Sequence, residues 1–527
     1  MAGVAPFAGP QLPLPIDVRW NRPSVVCSAL MSLYIVFAPL DAYIYEPFPW
    51  TISPPAVATQ TSQLSWAAAS PLWLTAARAS YNDTFFARGA SYAYDRETNT
   101  DVYRSALNTS AKCELYELHT GALLSARLQS LVCTFVQNSS SPSGGCQENM
   151  MLSLRASVLC VWFTPMSDGA SDDANDSYTV YEMFHLAPTP DYLYGMLAFR
   201  LTLTVYMALL CGRRYLQPVR RLHRHCYRLP ARRCDVIVGD PTSLLVLDPL
   251  LTLAMALDLW LSVPVVGSST IAVSQLQALD HAALGCMYLS RMAWFAYGSL
   301  VLVSKGLKRY HWEARYRPAS PTVLAVFATL VTGPLTYLQA QSYLLVQLYE
   351  MIFAGSEPST TQIVYGFLLF HLLLAALPLV YFLQVPPSDD GGATALFAKA
   401  VTTRYTTVGA TDWKQRLLLP LFLRSAGYVR QHGCSLYNFF YIDASFRACP
   451  GLSQRGSDCY IVLYSAGNGA AVKRLALRRR VDLTSLPVTI ERRDELFGSL
   501  GIVINKGATN PTYVVVEPTQ APCEWVE

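Results

Sequence analysis

Residues 193–212 read LYGMLAFRLTLTVYMALLCG, twenty residues in which Arg200 is the one charged side chain. A helix rising ~1.5 Å per residue carries a stretch of that length across a hydrocarbon core of ~30 Å. The chain on either side gives its direction. Immediately after it come Arg213, Arg214, Arg220, Arg221, Arg224, Arg228, Arg232 and Arg233, the signature of a cytoplasmic loop. Before it, residues 46–192 hold the sequons at Asn82, Asn108, Asn138 and Asn175, which are usable only on a lumenal or extracellular face. A fifth triplet, Asn510-Pro511-Thr512, is blocked by its proline. Sugar acceptors and positive charge therefore assign the two ends of this segment independently and agree.

Composition extends the reading to the whole chain. Of 527 residues 52% are hydrophobic and 14% charged, with a mean hydropathy of +0.25, which is too apolar for an ordinary soluble protein of this length. Six stretches are long and apolar enough to cross a membrane: residues 24–45, 193–212, 244–265, 282–304, 322–341 and 362–383. The first exceeds the apolar region of a cleaved leader and reads as an uncleaved signal anchor, preceded by a cytoplasmic tail at 1–23. Basic loops at 213–243 and 305–321 lie inside, while the connections 266–281 and 342–361 contain no Lys or Arg and lie outside. The expected fold is a membrane all-α bundle of six transmembrane helices. It carries a disulfide-linked lumenal or extracellular α+β domain at 46–192 and a cytoplasmic α+β domain at 388–527, with both termini cytoplasmic, in the plasma membrane or an endomembrane.

The outer loop contains Cys113, Cys133, Cys146 and Cys160, an even number in an oxidising compartment, and two disulfides of open connectivity are expected. Residues 158–163 and 178–186 read as strands. In the tail, strands are expected at 459–464, 472–481, 501–505 and 512–517, and Asn468-Gly469 signals a hairpin turn because both residues tolerate positive φ. Residues 413–423 read as an interfacial helix along the inner leaflet.

Specific chemistry is sparse. The chain has no G-x-S-x-G, H-E-x-x-H, kinase or P-loop signature, and His432, Cys434, Cys449 and Cys459 lack the paired spacing of a zinc site. No enzyme activity, metal, cofactor or nucleic-acid partner is expected. Arg213, Arg214, Arg220, Arg221 and Arg224 could hold anionic lipid head groups at about 1 kcal/mol each, or could only set orientation. The sharpest signal lies inside the apolar runs. Arg200, Asp258, Arg291 and His371 fall on four different spans, each roughly 18–22 Å from the cytoplasmic boundary at ~1.5 Å per residue. Buried charge in a membrane is costly and usually paired or functional. Asp258 and Arg291 are the expected primary pair, with Arg200 and His371 nearby, forming either a substrate or proton site or polar glue between helices.

The layout, six spans with a large glycosylated, cysteine-containing loop after the first and an apolar segment at 343–353 before the last, resembles that of mucolipin and polycystin channels. Between the last two spans only Glu350, Gly355 and Glu357 stand where a filter would be, so no pore residue carries over. The expected role is a sensing or interaction protein whose outer domain binds an unknown ligand or protein and whose cytoplasmic domain reads it out. The alternative is an ion channel or transporter using the polar layer.

Overall fold

The computed structural model describes residues 17–108, 120, 124–137, 143–151, 154–165, 177–217, 219–220, 233–246, 248–276, 278–310 and 321–340, with residues 376 and 418 and the short strands 430–432, 458–464, 471–478, 501–504 and 513–516. Apart from residues 376 and 418, the sixth expected span and the 343–353 and 413–423 segments lie outside the described residues, as do His371 and the Asn468-Gly469 turn. Four helical segments are long and apolar enough to cross a membrane: Arg22–Ile44, Pro190–Leu216, Leu279–Val303 and Pro321–Leu338. A fifth arises if the bent pair Pro249–Leu261 and Val263–Ser274 is counted as one span.

Three of these segments start in the same way. Asn21 accepts a hydrogen bond from Ser24 N ahead of Pro23, Thr189 accepts from Tyr192 N ahead of Pro190, and Asp248 accepts from Leu251 N ahead of Pro249. A polar cap satisfies an orphan N–H, and proline in the first turn sacrifices none. The third span departs from the straight helix expected at 244–265. It breaks by 72° at Ser262, because Pro264 has no N–H to continue the ladder and serves instead at the start of a second helix, Val263–Gln275. Most of the connection expected at 266–281 is consequently helical. The return helix packs tightly against it: a Cβ added at Gly285 would come within 3.0 Å of Val273 Cγ2 and 3.1 Å of Ser269 O.

Between the first and second spans lies an antiparallel five-stranded sheet of order β2-β3-β6-β5-β4, comprising β2 (Tyr92–Asp95), β3 (Thr100–Asn108), β4 (Gly144–Met151), β5 (Leu154–Pro165) and β6 (Ser177–Leu186). Side chains alternate between its faces, so Leu159, Val161 and Phe163 join a core with helix Ala126–Gln137, while Val158, Cys160 and Trp162 join another with helix Trp66–Ser80. Both faces are covered, which is why β5 reads as an unbroken apolar run. Burying each large side chain in these layers contributes about 1.5–3 kcal/mol. Cys146 and Cys160 face each other across β4 and β5 and form a disulfide. Cys133 is disulfide-bonded too, and Cys113 lies outside the described residues.

A second five-stranded sheet sits at the opposite ends of the spans, with order β1-β7-β9-β10-β8. It draws on β1 (Asp17–Trp20) ahead of the first span, β7 (Arg233–Ile237) between the second and third, and β8 (Arg430–His432), β9 (Asp458–Tyr464) and β10 (Ala471–Arg478) from the C-terminal region. β9 and β10 pair antiparallel across the expected hairpin, and β7 lies between β1 and β9. Strands β11 (Gly501–Ile504) and β12 (Tyr513–Val516) form a separate pair. The C-terminal region is thus not self-contained: its sheet is completed by the N-terminal segment and by part of the basic loop.

Candidate functional site: two adjoining polar clusters

Tyr45 and Glu46 follow the first span, and each enters a different polar cluster. Glu46 meets the expected layer. The Arg200 side chain, 0% exposed, donates from Nη1 and Nη2 to the two Glu46 oxygens at 2.5 and 2.9 Å, from Nε to Asp258 Oδ1 at 2.7 Å, and from Nη2 to Ser262 Oγ at 2.8 Å. Arg291 donates from Nη2 to Asp258 Oδ2, and its Nη1 lies 3.7 Å from Glu46 Oε1. Tyr288 donates its hydroxyl to Glu46 at 2.6 Å, and the rings of Tyr43 and Tyr288 lie 5.0 Å below the guanidinium groups of Arg200 and Arg291. Burial alone would raise the Glu46 carboxyl, but the paired Arg200 outweighs it and holds the group below its ordinary range. Two cations and two anions leave the cluster neutral, and its fork-shaped contacts are those guanidinium makes best. Nε and Nη1 of Arg291 are buried and make no hydrogen bond among the described residues.

The structure thus brings Arg200, Asp258 and Arg291 together; His371 lies outside the described residues. Glu46 is the member that the sequence reading passed over. It stands one residue beyond the apolar run, where a carboxylate reads as the start of a solvated loop. The available signal was charge balance: two arginines and one aspartate at one level call for another anion. Ser262 and Glu46 also change the setting of the layer, which lies where the first span ends and the third breaks.

Tyr45 enters the second cluster, at the seam between the bundle and the sheet that lies between the first and second spans. His281, at the start of the fourth span, places Nε2 at 3.0 Å from Tyr45 Oη, 2.9 Å from Tyr92 Oη and 3.5 Å from Asp101 Oδ1. Asp101, on β3 and 3% exposed, accepts from Tyr92 Oη at 2.9 Å and from Ser268 Oγ of the bent helix at 2.5 Å. The Tyr92 ring stacks on the imidazole at 4.6 Å, with those of Tyr45 and Tyr94 at 5.1 and 6.2 Å. Apolar contact closes the same seam: Ile271 and Val265 of the bent helix pack into that sheet's core. Tyr45 and Tyr288 rings, 5.6 Å apart, join the seam to the charge cluster.

At the opposite ends of the spans, Asn21 N donates to Val236 O at 2.9 Å, Val238 N to Ser24 Oγ at 3.1 Å and Tyr215 Oη to Gly239 O at 2.7 Å. The stretch around β7 is thereby fastened to the first and second spans. Among the arginines considered for lipid contact, Arg214 is taken up by Asp248 at 2.6 Å, Arg213 and Arg220 are exposed, and Arg221 and Arg224 lie outside the described residues. Of the sequon asparagines, Asn82 is exposed on a turn where Thr84 donates its N–H and hydroxyl to Asn82 Oδ1 at 3.0 and 2.5 Å. Asn108 ends β3, while Asn138 and Asn175 lie outside the described residues. Among the described residues no group of three or more His, Cys, Asp or Glu is placed to hold a metal ion.

Chemically the two clusters differ. The first is suited to holding helices, because its charges are fixed and mutually neutralised; the second contains an imidazole, a side chain that exists in a neutral and a cationic form. No protein-family model, no curated protein and no solved structure matches this chain.

Proposed function

We propose that the protein is a multi-pass membrane glycoprotein that senses or binds a partner through its outer sheet domain and reports the event through the sheet at the cytoplasmic ends of its spans. One observation carries this reading: the outer domain is built onto the bundle instead of being tethered to it. Ser268 bonds Asp101, Ile271 lies in the outer core, and the adjacent Tyr45 and Glu46 tie that seam to the charge cluster. A load on the outer sheet therefore meets packed side chains all the way to the spans. Sugars on Asn82 and the other sequons of residues 46–192, and anionic lipid head groups at Arg213 and Arg220, complete this picture.

The test uses the full chain in nanodiscs and an antibody fragment raised against the outer sheet. Binding of the fragment should change hydrogen exchange in β7 and β9; measurable binding with unchanged exchange there would overturn the coupling. A second reading, transport of an anionic species, is favoured by the two unbonded donors of Arg291. Reconstitution into liposomes separates the two. Absence of ion flux supports the sensing reading, whereas a flux lost on Asp258→Asn would replace it.

A further inference from the structure

The geometry points to His281 as a proton-operated latch that tightens the seam between the outer sheet and the bundle as pH falls. The inference rests on the coupling reading above and adds its regulation. Asp101 is a buried carboxylate that accepts hydrogen bonds from two neutral hydroxyls, those of Tyr92 and Ser268. Among the described residues, His281 at 3.5 Å is the one basic group within ion-pair distance of it. A buried carboxylate without an opposite charge is costly, and an imidazolium at that distance supplies one.

Aromatic rings and hydroxyl oxygens surround the imidazole. Tyr92 stacks on it at 4.6 Å, and Tyr45 and Tyr94 flank it, presenting electron-rich faces and hydroxyl oxygens. Nε2 reaches two hydroxyls at once. The Tyr92 hydroxyl already donates to Asp101, so its oxygen is free to accept from a protonated Nε2. The ring is not sealed: 17% of the side chain is exposed, which gives solvent protons access.

The groups facing His281 come from every element around it. Tyr45 follows the first span; Tyr92 and Tyr94 belong to β2, Asp101 to β3, Ser268 to the bent helix, and Asp280, exposed, to its own helix. Tyr103 stacks behind Tyr92 and Tyr288 behind Tyr45. Neither aspartate nor any tyrosine in this set gains positive charge on acidification. Among the described residues, protonating the imidazole thus adds attraction and no repulsion. Charge attraction within the pair exists only while the imidazole carries its proton, so acidification strengthens the docking.

The experiment compares amide exchange of the full chain in nanodiscs at pH 5.5 and pH 8, corrected for the intrinsic rate. Segments 92–108 and 263–289 report the seam, and segment 144–165 serves as the reference within the same domain. Seam protection should be about tenfold greater at pH 5.5, with the reference unchanged. His281→Gln, which keeps a hydrogen-bonding side chain but cannot titrate, should remove the difference, and Asp101→Asn should remove it independently. A native chain with no seam-specific difference overturns the latch, as does a difference that persists in both variants. Ion flux in liposomes would sink the sensing reading without altering these exchange data, so the two failures are distinguishable.

Discussion

Tyr45 and Glu46 are neighbours in the chain, yet the clusters they enter are of opposite kinds. Around Glu46, arginines and carboxylates meet in forked, short contacts that sum to zero charge. Around Tyr45, one carboxylate is held by hydroxyls and faces an imidazole. The first arrangement keeps its strength at any pH where carboxylates are ionised, and the second depends on a proton. Fixed charge sets which helices meet, and a titratable group sets how firmly the outer domain rests on them.

The comparison can be broken most severely at Arg200. Arg200→Met leaves Glu46 and Asp258 buried without their main cation and should cost about 3–5 kcal/mol, read as a drop in denaturant or thermal unfolding of the chain in micelles. Loss of less than about 1 kcal/mol would show that the cluster contributes little to holding the spans.

A second histidine sharpens the contrast from within the outer domain. His185 on β6 is buried against Trp73 and hydrogen-bonded to Thr100, and burial lowers its pKa to about 4. The unfolded chain, with an ordinary imidazole near 6.5, binds the proton more readily, so stability is fully present above about pH 6.5 and declines as pH falls towards about 4. The loss should approach about 3 kcal/mol over that window. His185→Gln should flatten the slope in a pH series of unfolding midpoints, and an unchanged slope would assign the acid sensitivity elsewhere. Acid thus acts in opposite directions on two histidines of one region, loosening the sheet at His185 and tightening its seating at His281.

The smallest effect is expected at Tyr45→Phe. It removes one hydroxyl from the seam while Ser268 keeps its bond to Asp101, so the outer domain should lose about 1 kcal/mol of docking stability. Amide exchange of the bent helix would measure it.

The legible parts of this molecule are those governed by local composition. Apolar run length disclosed the segments at 22–44, 190–216, 279–303 and 321–338, and short apolar or β-rich runs between turn residues disclosed β5, β6, β9 and β10. Arg200, Asp258 and Arg291 stood out because a charge inside an apolar run is rare. What stayed hidden depends on direction or on distant pairing. Hydropathy does not register a 72° turn, so Ser262 and Pro264 were the only marks of the break. β1 and β7 are four and five residues long, and their partners lie far away in sequence, so neither shows as a strand alone. His281 and Tyr92 are unremarkable by themselves and acquire a role only through contact.

The mixed ancestry of the sheet β1-β7-β9-β10-β8 carries a consequence for how the chain is made. β7 is the strand that β1 and β9 flank, but it emerges from the ribosome long before β9, with the apolar segments from 249 to 338 synthesised in between. Until translation reaches residue 464, the free edge of β7 stands unpaired. Arrival of the last strands then closes the sheet over segments already inserted. Completion of this surface is therefore a late, chain-length-dependent event, and a translation product stopped before β9 would present that edge to the cell's quality-control machinery as unfinished.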